Sequence, residues 1–551
     1  MATGIQPSGS VARDGACAGV SRRRFMASGL GVAACMATAC RPARRMEGTL
    51  SMPGMDAGHR WRDGHRPVPG AFEEVDVVVV GGGVSGLVAA RELVRRPGWT
   101  VRVLELAGDL GGNASGGVMG GTGHPWGAHY VPVPGADAAD LLGLFRELGV
   151  VTGEGTGGRP VYREEWLCHD PEERLFLHGR WQDGLVPQLG VSRGERDEIA
   201  AFLGRMEGFR RARGSDGRRA FAIPLDASST DARWRGLDGE TFASWLDREG
   251  FRGAALRWYV NYCCRDDFGM GASEVSAWAG IHYFASRDGA AANADGNAVL
   301  TWPEGNAWLA GRLREPVEAR GWAMRGMMAT RVEDEGDRVR VEAWNVAGKV
   351  AMGWRARHVV LAVPSFVASR LLGGHGPGAW PGQVHAPWLV ANLWVEKVPS
   401  GRGAPLSWDN VLYEGRGLGY VVANHQSLRR VHDGRVLTYY LPLDHVDATT
   451  ARREAAGWSW AEVRDLVMDD LGRAHPGLAS ATRRLDARVW GHGMVTPVPG
   501  TVWGGGRRGD ARVGERVWLA HTDHAGISIF EEAHAQGLRA ARGILGRLAE
   551  A

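Results

Sequence analysis

Residues 73–96 read EEVDVVVVGGGVSGLVAARELVRR, and the fold turns on how this stretch is read. Val75 to Val80 form a short apolar, β-branched run, the pattern of a strand buried in a parallel sheet. Gly81, Gly83 and Gly86 follow in G-x-G-x-x-G spacing. The first glycine permits a tight turn, the second lets backbone approach a pyrophosphate, and the third lets helix and strand pack closely. A helix is predicted from about Ser85 to Arg95, with Leu87, Ala90 and Val94 facing inward and Pro97-Gly98 ending it. Its first N–H groups, around Val84 and Ser85, and the positive end of its dipole suit a phosphate. A second strand, Thr100 to Leu104, ends at Glu105, which is followed by Leu106. That acid lies about twenty residues beyond the glycines, where a carboxylate accepts the two ribose hydroxyls. Strand, glycines, helix, strand and acid together predict an α/β, Rossmann-like dinucleotide-binding domain.

Working outward, Glu105 leads into LAGDLGG, with Gly111 and Gly112 paired, and then Asn113. This E-x(5)-G-G arrangement resembles the flavin-containing amine oxidase superfamily, the monoamine and polyamine oxidase-like proteins and their phytoene desaturase relatives. Further blocks resemble that family in order. PWGAHYV (125–131) is similar to the turn that passes the flavin ring, which implies Gly127, Ala128 and His129 as contacts. ATRVEDEGDRVRV (329–341) is similar to the strand pair whose valine, here Val332, meets adenine through its backbone. DARVWGHG (486–493) sets Trp490 where the family has a tryptophan. VWLAHTDHAGISIFEEAHAQG (517–537) is similar to the last flavin segment, with Asp523 as its acid and Ser528 and Ile529 opening a helix aimed at the ring.

The resemblance implies a glutathione-reductase-type, FAD-binding Rossmann-like domain built from discontinuous segments. It also implies an α+β substrate domain with a mixed sheet. The implied cofactor is non-covalent FAD, since no cysteine follows Cys264 to match the family's flavin-linking one. The implied activity is hydride transfer from a small or medium organic substrate to flavin N5, with reoxidation by oxygen or another acceptor. The catalytic candidates are His129 and His524, with His521 beside them. The chain departs from the amine oxidases at Asn392 or Leu393, where they carry a lysine, at Ile529, where they keep an aromatic, and at Asn113, where they have an arginine. A desaturase or isomerase acting on an isoprenoid or porphyrin-like molecule stays open, as does a non-catalytic flavin-bearing accessory protein.

The expected organisation is a twin-arginine signal peptide at 1–39, a flexible linker at 40–72, and FAD-binding parts at 73–135, 301–375 and 491–551. Between them lie substrate-domain parts at 136–300, mostly helical, and at 376–490, a mixed sheet. SRRRFM (21–26) followed by an apolar run to Ala39 carries the charged front, apolar middle and small-residue end of a signal read by the twin-arginine translocase. Export to the periplasm or cell surface is expected, with membrane anchoring through Cys40 if that residue is lipidated. Residues 1–39 hold Arg13, Arg22, Arg23 and Arg24 against Asp14, which equals the whole formal charge of +3. The remainder is near neutral, a balance that gives no sign of nucleic-acid binding. Cys168, Cys263 and Cys264 lack metal-ligand spacing, so no metal is expected. His282 and Tyr283 read as core residues within an apolar helix. Trp408, Tyr413, Tyr420, Tyr439 and Tyr440 are candidate pocket aromatics in the stretch 385–445, which alternates like antiparallel strands.

Overall fold

Phe72–Val80 lies in the middle of a sheet ordered Ala323–Arg325, Val101–Glu105, Phe72–Val80, Val350–Leu361, Val339–Asn345 and Met327–Asp334. Both neighbours of the central strand are parallel to it, and so is Val517–Leu519 where it joins Val350–Leu361. The last three strands form an antiparallel meander. Alternation decides the packing. Val77 and Val79 meet Leu93 and Ile544 on the helical face. Val78 and Val80 meet Met328, Val341 and Leu371 on the other. The computed structural model describes residues 45–374, 382–429, 431–504 and 511–550. The predicted signal peptide and Cys40 lie outside these residues.

Two helices hold this sheet against the glycine turn: Val84–Val94 and the C-terminal Phe530–Glu550. They approach closely because two residues lack a side chain. A Cβ on Gly86 would sit 1.9 Å from the Gly81 carbonyl oxygen, and one on Gly537 would sit 2.2 Å from that of Ser85. Leu87, Ala89, Ala90 and Leu93 are fully buried between helix and sheet, while Val94, expected inward, is only half-buried.

The second sheet is mixed and ordered Glu47–Ser51, Thr482–Thr496, Val384–Val395, Arg435–Pro442, Gly419–Val422, Asp409–Leu412, Glu173–Leu177 and Arg180–Asp183. Period-two alternation again sorts the side chains. Leu389, Ala391 and Leu393 pack with Val463, Val467 and Leu471 of a helix on one face. Trp388 and Val390 face a helical cap that contributes Phe202, Trp245, Leu256 and Trp278. One cap helix, Arg193–Arg211, opens with a capping box between Ser192 and Glu195, which satisfies donors that a helix start leaves unpaired.

One domain expectation needs correction. Residues 40–72 are not a tether throughout. Glu47–Ser51 pairs in parallel with Thr482–Thr496, and Met55–Arg62 forms a helix whose buried Trp61 donates from Nε1 to the Thr330 carbonyl at 3.1 Å. The Gly/Pro/Arg-rich composition hid one edge strand and one short amphipathic helix. Residues 136–300 are mostly helical, as expected, and also supply Glu173–Leu177 and Arg180–Asp183, which close the far edge of the mixed sheet. No helix of the described residues is long and apolar enough to cross a membrane.

Candidate functional site

A groove enclosing about 1510 Å³ of empty space crosses the carboxyl ends of the parallel strands, where open α/β sheets bind ligands. Gly81, Gly83, Val84 and Ser85 line its middle with Gly111, Gly112 and Asn113, while Glu105 and Leu106 flank it. A Cβ on Gly83 would meet nothing within 4 Å, so bare backbone faces the space that a pyrophosphate needs. Gly86 sits behind the groove and acts through packing. The Glu105 carboxylate accepts from the backbone N–H of Gly82 at 2.8 Å and of Ala107 at 2.7 Å, which fixes its orientation. Burial raises its pKa above the usual carboxylate value. Each oxygen keeps a lone pair for a ribose hydroxyl.

At its far end the groove reaches Ala128, Gly493, Met494, Ser528, Ile529 and Phe530. The same residues also border an inner cavity of about 1070 Å³, so the two spaces meet there. These residues fit an FAD, with the nucleotide on the glycine turn and the ring at the junction. Asn306 adds an unexpected polar group. It is 1% exposed and its Nδ2 donates to Tyr130, yet its Oδ1 has no partner on the cavity wall, an acceptor left open for a donor in the site.

Three expected contacts fall elsewhere. Val332 is buried in the sheet core, and Met327, Met328 and Ala329 line the groove in its stead. The strand enters the site earlier than the motif alignment implies, and a bulge between Ala329 and Arg331 resets the side-chain alternation. Asp523 turns its carboxylate to the protein: Oδ2 accepts from Ser365 N at 2.7 Å and lies 2.9 Å from His385 Nε2, and Oδ1 lies 3.0 Å from His521 Nδ1. Burial alone would raise its pKa, but His521 and His385 hold it well below the usual range. It braces two groove-lining histidines and does not border the groove itself. His524 lines neither the groove nor the inner cavity, because the short turn Thr522–His524 carries it away from both.

His129 does reach the inner cavity. Its ring stacks on Tyr440 at 4.8 Å, and the Tyr440 hydroxyl donates to the Gly127 carbonyl at 2.8 Å. Burial lowers its pKa to about 4, so it is neutral at pH 7. Trp490 lines the same cavity and donates from Nε1 to the Trp126 carbonyl at 2.6 Å. Asn392, at the family's lysine position, is spent structurally: it donates to the Pro125 carbonyl at 3.0 Å and accepts from Thr438 at 2.7 Å. Trp388 and Val390 of the same strand form the cavity wall.

The charged part of the cavity was missed in the sequence. Asp266, Asp267, Arg287 and Glu531 all line it. Arg287 donates from Nη2 to Asp267 Oδ1 at 2.7 Å. Burial raises the pKa values of Asp266 and Glu531 to about 7. An available signal was the helix Ala254–Phe268, where Leu256, Val260, Cys263 and Cys264 make one apolar face. Helical spacing puts Asp267 on that face, and an acid there needs a buried partner. The partner, Arg287, comes from beyond the next helix, which no local pattern announces.

A second, outer chamber of about 1280 Å³ shares His129, Tyr130, Asp266, Arg287 and Tyr440 with the inner cavity. Glu173 and Asp409 add two more acids to it, half-buried and both with pKa values raised by desolvation. Trp408, Tyr420 and Tyr440 belong to its wall, whereas Tyr439 points to the opposite side and donates to Asp470 at 2.7 Å, and Tyr413 stacks on Trp258 at 4.4 Å. His282 is a buried neutral residue with Nε2 3.0 Å from the Ala222 carbonyl, and it also borders the inner cavity. Among the described residues no cluster of His, Cys, Asp and Glu is arranged to hold a metal ion.

Comparison with known proteins agrees with this architecture. A family model described as an NAD(P)-binding Rossmann-like domain matches residues 79–148. The 3-hydroxybenzoate 6-hydroxylase of Polaromonas naphthalenivorans is 38% identical over 97 residues, which is 18% of this chain and 19% of that protein. Of solved structures, cyclohexylamine oxidase from Brevibacterium oxydans superposes with a TM-score of 0.61 at 17% identity, over 87% of this chain and 100% of that one. The fold is that of the flavin amine oxidases. Putrescine oxidase bound to putrescine shares the amine-oxidase fold at TM-score 0.61 and 16% identity, covering 87% of this chain and 100% of its own. A fatty acid isomerase from P. acnes shares it at TM-score 0.58 and 16% identity, covering 85% of this chain and 98% of its own. One fold thus serves a charged amine and an apolar acyl chain, so the substrate must be argued from the cavity.

Proposed function

We propose that the protein is an exported, FAD-dependent oxidoreductase that oxidises a small or medium cationic amine at the carbon bearing nitrogen, with oxygen or another acceptor taking the electrons. One observation carries the choice of substrate. The inner cavity, which meets the nucleotide groove, holds three carboxyl groups against one guanidinium. A buried charge is tolerated only when it is paired, so a cation entering this space completes the set. Bound FAD supplies a hydride acceptor. The chain's own residues then do the rest. Glu105 and the glycine turn hold the nucleotide, Trp388, Trp490 and the His129–Tyr440 stack shape the inner wall and keep water out, and the acidic outer chamber draws in cations.

An apolar substrate fits this interior poorly, because the buried carboxyls would be left unpaired. Export rests on the twin-arginine pattern and on a cofactor best inserted before translocation. Cys40 remains a candidate for lipidation at the cell surface. The test is to express the mature protein with FAD supply and add primary and secondary amines anaerobically. Yellow protein that bleaches with an amine, and yields peroxide and the carbonyl product in air, supports the reading. Protein that takes up no flavin, or whose flavin no amine bleaches, defeats it.

A further inference from the structure

Three cavity carboxyls are not equivalent. Asp267 is taken by Arg287 at 2.7 Å. Asp266 lines both chambers and so sits on the entry side. Glu531 lines only the inner cavity, directly after Ser528, Ile529 and Phe530, the residues shared by cavity and groove. It is 6% exposed, and the guanidinium of Arg287, which acts on it through space, is paired with Asp267 instead. It is therefore the acid nearest in sequence to the junction where the ring would lie, and of the two without an ion pair among the described residues it is the one away from the outer chamber.

Resting on the amine-oxidation reading, we infer that Glu531 is the catalytic base that takes the proton from the substrate ammonium. The N–H bond of the ammonium breaks, the proton joins a Glu531 oxygen, and nitrogen keeps the electron pair. The free amine so formed is the species whose C–H bond gives up hydride, since the departing hydride leaves positive charge that this electron pair stabilises. A cationic ammonium cannot provide it. Neither sequence candidate does this work: His524 is not on the wall, and His129 is committed to its stack.

The groups facing Glu531 come from every wall. Asp266 and Asp267 project from the helix Ala254–Phe268, and Arg287 follows the helix that carries His282. His129, Tyr130 and Tyr440 close the opposite side. Burial holds His282 at about 3 and His129 at about 4, so both are uncharged across the neutral range. Asp267 keeps its pairing with Arg287. Glu531 and Asp266, both near 7, are left as the cavity groups that change charge around neutrality. A base working there matches its pKa to its task.

The experiment uses the FAD holoprotein. In wild type, kcat/KM for an amine rises with pH through about 7 as the Glu531 carboxyl ionises. E531Q, with its flavin absorbance retained, is expected to lose roughly 100-fold or more in kcat/KM at pH 8 and to lose that limb. E531D restores part of the rate and the limb. D266N raises KM and keeps the limb. A second readout needs no turnover. With tert-butylamine, which has no hydrogen on the carbon beside nitrogen, infrared difference spectra at pH 8 are expected to show a protonated-carboxyl band in wild type that is missing in E531Q. The proposal is overturned if E531Q keeps the limb and the rate, if the limb is lost in D266N instead, or if wild type shows no such band. Should the band appear while no amine bleaches the flavin, Glu531 still takes the proton and the oxidation reading alone fails.

Discussion

The nucleotide groove and the inner cavity meet at Ser528–Phe530, yet they are built in opposite ways. Backbone makes the groove. Its phosphate and ribose contacts would come from glycine turns, helix N–H groups and one carboxylate held by two backbone donors. Side chains make the cavity, and they come from segments as far apart as Asn113, Asp267, Tyr440 and Glu531. Backbone sites need short, fixed spacings, whereas side-chain sites need only that the fold bring residues together. Substitution should therefore damage the groove through sterics and the cavity through electrostatics.

The sharpest test of that contrast lies within the glycine turn. Gly86→Val places its side chain against the Gly81 carbonyl, so soluble folded protein and bound flavin should vanish together, as circular dichroism and absorbance would record. Gly83→Val points into open space, so the apoprotein should melt near wild type while flavin affinity falls by two orders of magnitude or more. If both variants behave alike, the groove is not organised as described.

In the cavity, Arg287→Met strands Asp267 without its cation. Removing one partner of a buried pair costs about 3–5 kcal/mol, so denaturant midpoints should fall while the remaining folded protein keeps its flavin spectrum. An unchanged midpoint would mean that the pair is hydrated and the cavity more open than its walls indicate. Trp61→Ala tests the corrected N-terminal segment. Truncating this 5% exposed side chain should cost about 3 kcal/mol, and no loss would return residues 46–62 to the status of a tether.

The smallest effect is on pH. Burial holds seven histidines, 124, 129, 282, 358, 475, 492 and 534, at about 3 to 4, below their unfolded value of 6.5. Burial raises eight carboxyls, Glu105, Glu172, Glu173, Asp266, Asp267, Asp288, Asp409 and Glu531, above their unfolded values, with Glu173, Asp266 and Glu531 at about 7. Between pH 4.5 and 6.5 the histidines make the unfolded chain bind more protons, and the carboxyls do the reverse. The two sets are of similar size and oppose each other, so stability should change little with pH across this window. A melting temperature that declines steeply from pH 4.5 to 6.5 would show that those histidines are solvated, and one that climbs steeply would show that the carboxyls are.

How much was legible follows the same division. Gly81, Gly83, Val84, Ser85 and Glu105 could be named from spacing, and Gly111 and Gly112 from the family resemblance, and the structure sets them all along the groove. The α/β class and the mixed second sheet were legible because Val77–Val80 and Leu389–Leu393 announce burial through apolar runs and alternation. Val332 was misplaced because a strand motif leaves register free, and the entry point and a bulge decide it. Asp523 was misread because an acid at a strand end can serve a ligand or a pair of histidines equally well in sequence. The Asp267–Arg287 pair stayed hidden because its meaning lies in tertiary proximity, and Glu531, within the last flavin segment, gave no sign that it shares a cavity with two further acids. No local pattern announced that Asn306 would turn a lone acceptor inward.

The central claim is that this cavity selects a cation beside the flavin. It is tested most directly by comparing anaerobic flavin reduction of the wild-type holoprotein by cyclohexylamine and putrescine with that by cyclohexanol and 1,4-butanediol, their neutral counterparts. The account predicts bleaching by at least one amine and by neither alcohol. Bleaching by the alcohols, at rates equal to or above those of the amines, would contradict it.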